Sequence, residues 1–75
     1  MDYLGAARRF IRAAGRRVGE CDEHELAELI ALRESLETAI REGVTGQRTH
    51  GKSWAAIGRA AGITREAAYQ QWGKK

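Results

Sequence analysis

Four side chains near the C-terminus have the types and spacing to bind another molecule through hydrogen bonds and an aromatic ring. Arg65, Glu66, Tyr69 and Gln70 recur at three- and four-residue intervals, which places them on one side of a helix. That helix contains few large apolar residues, so we expect it to sit tightly on a neighbour and keep its other side free. A rod this narrow, with charged, hydrogen-bonding and aromatic groups on its free side, is expected to fit the major groove of DNA.

The other reactive side chains are expected to have no catalytic or metal-binding role. Cys21, His24 and His50 are the soft metal ligands of the sequence, but they are scattered and no second Cys-x-x-Cys completes a tetrahedral site. Neither histidine is matched with a serine or cysteine in an organised site. We therefore predict that the protein is not an enzyme and uses no cofactor or metal.

The composition predicts that helices alone position these residues, so the expected fold class is all-α. The 75 residues include no proline and five aromatics, and β-branched residues never alternate. A chain of this length forms one domain at most and buries only about 60% of its unfolded surface. The single cysteine excludes an internal disulfide, and no secretion signal or membrane-spanning run is seen. A cytoplasmic location without membrane contact is therefore expected.

An antiparallel hairpin of two helices is predicted over residues 1–50. The first helix covers roughly residues 2–19, and Gly19 is expected to end it in the left-handed conformation. Asp22 is expected to cap a second helix from 22 to about 50, ending near Gly51. Residues 43–50 are either helix or loop, and one long helix is preferred although Gly43 and Gly46 favour a loop. The stripes expected to be buried comprise Tyr3, Leu4, Ala7, Phe10, Ile11, Ala14 and Val18 on the first helix, and Leu26, Leu29, Ile30, Leu32, Leu36 and Ile40 on the second.

Two shorter helices follow, joined by three residues. Ser53 is expected to cap a helix over Trp54–Ala61, Gly62 to adopt the left-handed conformation, and Thr64 to cap a helix from 65 to about 72. Trp54 and Trp72 are expected to anchor the core. Close crossing of the two helices requires small residues at the contact, and those available are Gly58, Ala60, Ala61, Ala67 and Ala68.

Charge is distributed unevenly along the chain. Residues 1–19 carry five arginines against Asp2 (+4), and residues 20–42 carry eight acids against Arg33 and Arg41 (−6). Residues 43–75 carry six bases against Glu66 (+5), which indicates that this part meets an anionic partner. The arginines of the first helix have two interpretations. They bind an anionic surface, either a membrane or a row of phosphates, or they flank an apolar stripe that packs on the acidic second helix. The packing interpretation is preferred.

The stretch "SWAAIGRAAGITREAAYQQW" (53–72) resembles the helix-turn-helix of many small actinobacterial and actinophage DNA-binding proteins. The resemblance covers about 20 residues and extends more loosely through the preceding "RTHGK", while the N-terminal 20 residues lie outside it. Two departures are present. Ala61 stands where that group usually has Leu, which implies a smaller core, and Ile63-Thr64 replaces its usual Val-Ser.

This resemblance implies that Trp54–Ala61 positions the next helix and that the next helix reads DNA. Arg65 would bind guanine or a phosphate, Glu66 would accept from a cytosine amino group or reject wrong sequences, and Gln70 would bind adenine. Tyr69 would stack on a sugar or a thymine methyl group, and Ser53 and Thr64 would bind phosphate oxygens. The residues implied to face DNA are Thr64, Arg65, Glu66, Tyr69 and Gln70; those implied to supply sequence-independent attraction are Arg48, Lys52, Arg59, Lys74 and Lys75.

The expected function is therefore binding of double-stranded DNA to regulate transcription. One short reading helix gives limited affinity, so a homodimer on two half-sites is expected. Two alternatives stay open. The chain could be a protein-interaction module, for instance a phage-encoded one, whose hairpin binds and modulates a host protein. It could also be a sigma-factor-like fragment that contacts promoter DNA alongside RNA polymerase.

Overall fold

Helix caps and glycine turns, rather than a large core, delimit the elements of this chain. The computed structural model describes residues 2–74, and the fold class is all-α as predicted, with no strand in that range. The elements are α1 (Tyr3–Val18), α2 (Glu23–Thr49), α3 (Trp54–Ala61) and α4 (Arg65–Ala68), which continues as a π-helical turn over Tyr69–Gly73. The chain divides into two compact units, Met1–Ser35 and Leu36–Lys75.

Helix α1 begins at a side-chain cap and ends without the left-handed residue that we predicted. The Oδ1 atom of Asp2 accepts a hydrogen bond from the Gly5 amide at 2.8 Å. Gly19 lies in the right-handed region, with φ −57° and ψ −20°. The left-handed prediction is wrong because the chain leaves α1 through further right-handed turns, in which Glu20 N–H bonds to the Arg17 carbonyl and Cys21 N–H to the Val18 carbonyl.

Helix α2 is one continuous element, which confirms the preferred prediction over the loop alternative. Asp22 Oδ1 accepts from the amides of His24 and Glu25 at 3.1 and 3.2 Å and so caps its start. The helix runs through Gly43 and Gly46 without interruption. A glycine in a helix interior costs only about 1 kcal/mol relative to alanine, a cost that a helix of 27 residues can accommodate.

The apolar stripes of α1 and α2 are largely exposed, so their predicted burial is wrong. On α1 only Gly5 is buried, and on α2 no residue is. Ala14, Val18 and Leu29 reach intermediate burial. Burial of a stripe requires a second apolar surface to cover it, and neither stripe is covered in this structure. The large exposed members are Tyr3, Leu4, Phe10, Ile11, Leu26, Ile30, Leu32, Leu36 and Ile40.

The turns after α2 and α3 have the same construction. Gly51 and Gly62 adopt left-handed φ values of +90° and +74°. This conformation is the one predicted for Gly62, whereas the sequence predicted only a helix end at Gly51. In each turn the next residue donates its amide back to a carbonyl five positions earlier, Lys52 to Gln47 at 3.0 Å and Ile63 to Gly58 at 2.9 Å. These are the bonds of a Schellman motif, and they satisfy carbonyls that the helix end leaves without partners.

Helices α3 and α4 pack closely through very few small residues. Ala68 is fully buried, Ile57 is 7% exposed, and Gly58 is also buried. A Cβ atom at Gly58 would lie 2.8 Å from the Ile63 carbonyl oxygen and 3.0 Å from that of Thr64, so only glycine allows this approach. The prediction was wrong for Ala60, Ala61 and Ala67, which are exposed. Helices of one or two turns present only one or two positions to a neighbour.

The end of the last helix differs from a regular α-helix. The predicted helical span from 65 to about 72 is observed, but it changes to π-helical geometry at Tyr69. A Cβ atom at Gly73 would lie 2.5 Å from Tyr69 Cδ1 and 3.0 Å from Trp54 Cζ2, so the chain end packs against both rings. Trp54 and Trp72 are half-buried, consistent with their predicted packing role.

Candidate nucleic-acid interface

The predicted recognition residues form one exposed surface. Arg65, Glu66, Tyr69 and Gln70 are all exposed and line a surface depression, together with Trp54 of α3. The opposite side of α4 is occupied by Ala68, which is fully buried against α3. One side of α4 therefore holds the helix in place, and the other presents its polar groups outward.

Arg65 keeps most of its hydrogen-bonding capacity. Its Nη1 atom lies 3.9 Å from Oε2 of Glu66, and the two side chains are 64% and 78% exposed. An ion pair this long and this exposed is weak, because water screens it. The guanidinium has five N–H donors, so this one long contact leaves the others available for a ligand.

Tyr69 is both a packing residue and a surface residue. Its ring meets the Trp54 ring edge to face, with centroids 5.7 Å apart and an interplanar angle of 86°. It nevertheless remains 45% exposed. The aromatic contact fixes the ring beside Arg65 and Gln70, so a ligand at this surface would meet a ring whose position is already set.

Arg48 is held against Trp54, a contact that sequence reasoning did not predict. Its guanidinium carbon lies 4.8 Å from the Trp54 ring centroid, and its Nη1 atom donates to the Lys52 carbonyl at 2.9 Å. The sequence predicts Arg48 only as a source of sequence-independent attraction. The signal for this contact was absent because the two residues belong to different helices, and only the turn at Gly51 brings them together.

Ser53 and Thr64 use their hydroxyl oxygens to cap α3 and α4. Ser53 Oγ accepts from the Ala56 amide at 3.1 Å, and Thr64 Oγ1 accepts from the Ala67 amide at 3.0 Å, which confirms both predicted caps. Each hydroxyl still has its proton to donate. Capping and contact with a phosphate oxygen are therefore compatible at both positions.

The remaining cations of the predicted interface are exposed and lie on different elements. Lys52 lies in the turn before α3, Arg59 on α3, and Lys74 after the π-helical turn. Lys75, also predicted to contribute, lies outside the described residues. None of these three cations lines the depression, but all belong to the same unit as α4, Leu36–Lys75.

Within residues 2–74 no group of three or more His, Cys, Asp or Glu side chains is arranged to hold a metal ion. The thiol of Cys21 is exposed and donates to the Arg17 carbonyl at 3.2 Å. None of the helices in the described part of the chain has both the length and the apolar character needed to cross a membrane.

Comparisons with protein-family models, with curated proteins and with solved structures give no match to this chain.

Proposed function

We propose that this chain binds double-stranded DNA, with α3 and α4 acting as a helix-turn-helix and α4 entering the major groove. One observation carries the proposal: Arg65, Glu66, Tyr69 and Gln70 are exposed together on one side of α4, while Ala68 anchors the other side. Arginine, glutamine and glutamate are the side chains whose hydrogen bonds distinguish guanine, adenine and cytosine in that groove.

The charge around α4 supports an anionic partner. The exposed cations Arg48, Lys52, Arg59 and Lys74 all belong to the unit Leu36–Lys75. Contacts of such residues with phosphates supply affinity that is independent of sequence and orient the protein on the duplex. The side chains of α4 would then supply the sequence discrimination.

The proposed biological role is regulation of transcription in the cytoplasm of an actinobacterium, encoded by the host or by a phage. This part of the proposal is supported by the amino-acid sequence of residues 53–72, which resembles the helix-turn-helix of small DNA-binding proteins from those sources. The exposed thiol of Cys21 is consistent with a reducing compartment.

Selection from a random duplex pool, followed by titration of the selected duplex with variants, tests the proposal. We expect enrichment of a short motif. Arg65→Ala should weaken binding to that motif by about tenfold, because it removes a contact made to a base or phosphate. Arg33→Ala is the matched control: it removes the same charge from an exposed site on α2 and should bind as the wild type does.

Circular dichroism of both variants would verify that the helices are retained, since alanine favours helix at either position. No enriched motif, together with equal affinity of Arg65→Ala and wild type for duplex at low salt, would overturn the proposed function.

A further inference from the structure

Helix α1 exposes a continuous apolar stripe that nothing in this structure covers. Leu4 and Phe10 are each 76% exposed, and Tyr3 and Ile11 are exposed beside them. Phe10 lines a surface groove with Ala6 and Ala13, and Arg9 and Arg16 form the border of that groove. Large apolar groups at this level of exposure, rimmed by charge, mark a surface that associates with another molecule.

Helix α2 exposes a second stripe of the same kind. Leu26, Leu36 and Ile40 recur at the spacing of one helix face, and they are 46%, 54% and 37% exposed. Ile30 and Leu32 widen the stripe and are about half exposed. The two stripes together hold nine large apolar residues, which can form the apolar centre of a standard interface, to which each partner contributes about 20–30 residues and ~800 Å².

The two helices that bear these stripes have opposite net charge. Helix α1 contains five arginines and no acid, whereas α2 contains six glutamates against three arginines. Among residues 2–74, the one ion pair formed is Arg65–Glu66, so no arginine of α1 pairs with a glutamate of α2 within the chain. Both the apolar surfaces and their complementary charges therefore remain available to a partner.

We infer that the partner is a second copy of this chain, with α1 of each copy packed on α2 of the other. In a two-fold symmetric pair, the basic α1 of each copy meets the acidic α2 of the other. The same contact is then formed twice, and all four apolar stripes are covered. A membrane surface would attract α1 but repel the acidic α2, and so would leave the apolar stripe of α2 uncovered. The inference does not depend on DNA binding.

Sedimentation equilibrium with charge-reversed variants tests this arrangement. The first variant carries Arg8→Glu, Arg9→Glu and Arg16→Glu on α1, and the second carries Glu28→Lys, Glu34→Lys and Glu37→Lys on α2. We expect the wild type to have the mass of two chains at micromolar concentration. Each variant alone should dissociate, with a dissociation constant raised at least tenfold, because its two helices then carry like charge. An equimolar mixture should recover the mass of two chains, because both interfaces are again complementary.

Each alternative gives a different result. A wild type that keeps the mass of one chain throughout the micromolar range would overturn the inference. The stripes would then be covered within one chain, as in the predicted hairpin, or by an unrelated protein. Association of the α1 variant alone with the dissociation constant of the wild type would also overturn it, because opposite charge on α1 and α2 would then play no part in the interface. Adding Phe10→Asp to the α1 variant should abolish recovery in the mixture; recovery in spite of it would show that only net charge brings the chains together. Circular dichroism of the mixtures and tryptophan fluorescence, which reports on α3 and α4, verify folding.

Discussion

Gly58 shows how a single side-chain position sets the distance between α3 and α4. The carbonyl oxygens of Ile63 and Thr64 lie only 2.8 and 3.0 Å from the position that its Cβ atom would take, so the absence of a side chain allows the turn to approach α3 this closely. Tyr69 shows the opposite situation, in which a large ring both packs on Trp54 and stays 45% exposed at the surface. The exposed surface of α4 therefore depends on Gly58, which is small enough for close helix packing, and on Tyr69, which is large enough to reach Trp54.

At residue scale we predict opposite effects of the same substitution at two glycines. Gly58→Ala should lower the free energy of unfolding by about 1–3 kcal/mol, because backbone must move to admit the methyl group. Gly43→Ala should raise it by about 0.5–1 kcal/mol, because Gly43 is a helical position with open space around it. Urea denaturation followed by the fluorescence of Trp54 and Trp72 measures both, and equal stability of the two variants would contradict the packing described for Gly58.

At the scale of elements, two three-residue turns between helices have the same construction. Gly51-Lys52-Ser53 and Gly62-Ile63-Thr64 each combine a left-handed glycine that ends one helix with a hydroxyl residue that caps the next. The backbone bonds of the turn and the cap together satisfy the groups that both helix ends leave unpaired. Short helices can therefore follow one another closely, although neither would be stable alone.

Two substitutions at Thr64 separate its capping role from the proposed phosphate contact. Thr64→Ala should lower stability by about 1 kcal/mol, because the amide of Ala67 loses its acceptor. Thr64→Asp should keep the cap and most of the stability, but should weaken duplex binding because its carboxylate would face a phosphate. Thermal unfolding and titration of the selected duplex measure the two effects. Wild-type affinity of Thr64→Asp would mean that Thr64 does not face the DNA backbone.

At the scale of the whole molecule, opposite charge is separated along the chain. The basic α1 and the acidic α2 are exposed without pairing within the chain, and the C-terminal third is basic again. This pattern suits a molecule whose first half associates through complementary stripes and whose second half meets a polyanion. We therefore propose that association and DNA binding use different surfaces.

Salt should weaken the two interactions to different extents. If Arg48, Lys52, Arg59 and Lys74 each contact a phosphate, the logarithm of the binding constant should fall with a slope of about −3.6 against the logarithm of salt concentration. That slope corresponds to about a hundredfold loss per chain between 50 and 200 mM salt. The association of two chains should be less sensitive to salt than duplex binding is, because apolar stripes contribute to it. Fluorescence anisotropy of a labelled random duplex gives the slope, and a value near zero would exclude phosphate contacts.

The amino-acid sequence by itself determined where the helices begin and end. Ser53, Thr64 and Asp22 cap the helices as predicted, Gly62 adopts the predicted left-handed conformation, and α2 ends next to Gly51 as predicted. These features were predictable because caps and glycine turns act between residues two to five positions apart. The exposed set on α4 was predictable for the same reason, since helical spacing alone places those residues on one side.

Only the tertiary structure decided which surfaces are covered. The stripes of α1 and α2 are exposed in it, and only Gly58 and Ala68 of the five small residues are buried between α3 and α4. Arg48 and Tyr69 both contact the ring of Trp54. Periodicity identifies an apolar face but not what covers it, because burial depends on a second surface that can lie on another helix or another molecule. For this chain, the charge-reversal experiment tests whether that second surface belongs to another copy of the chain.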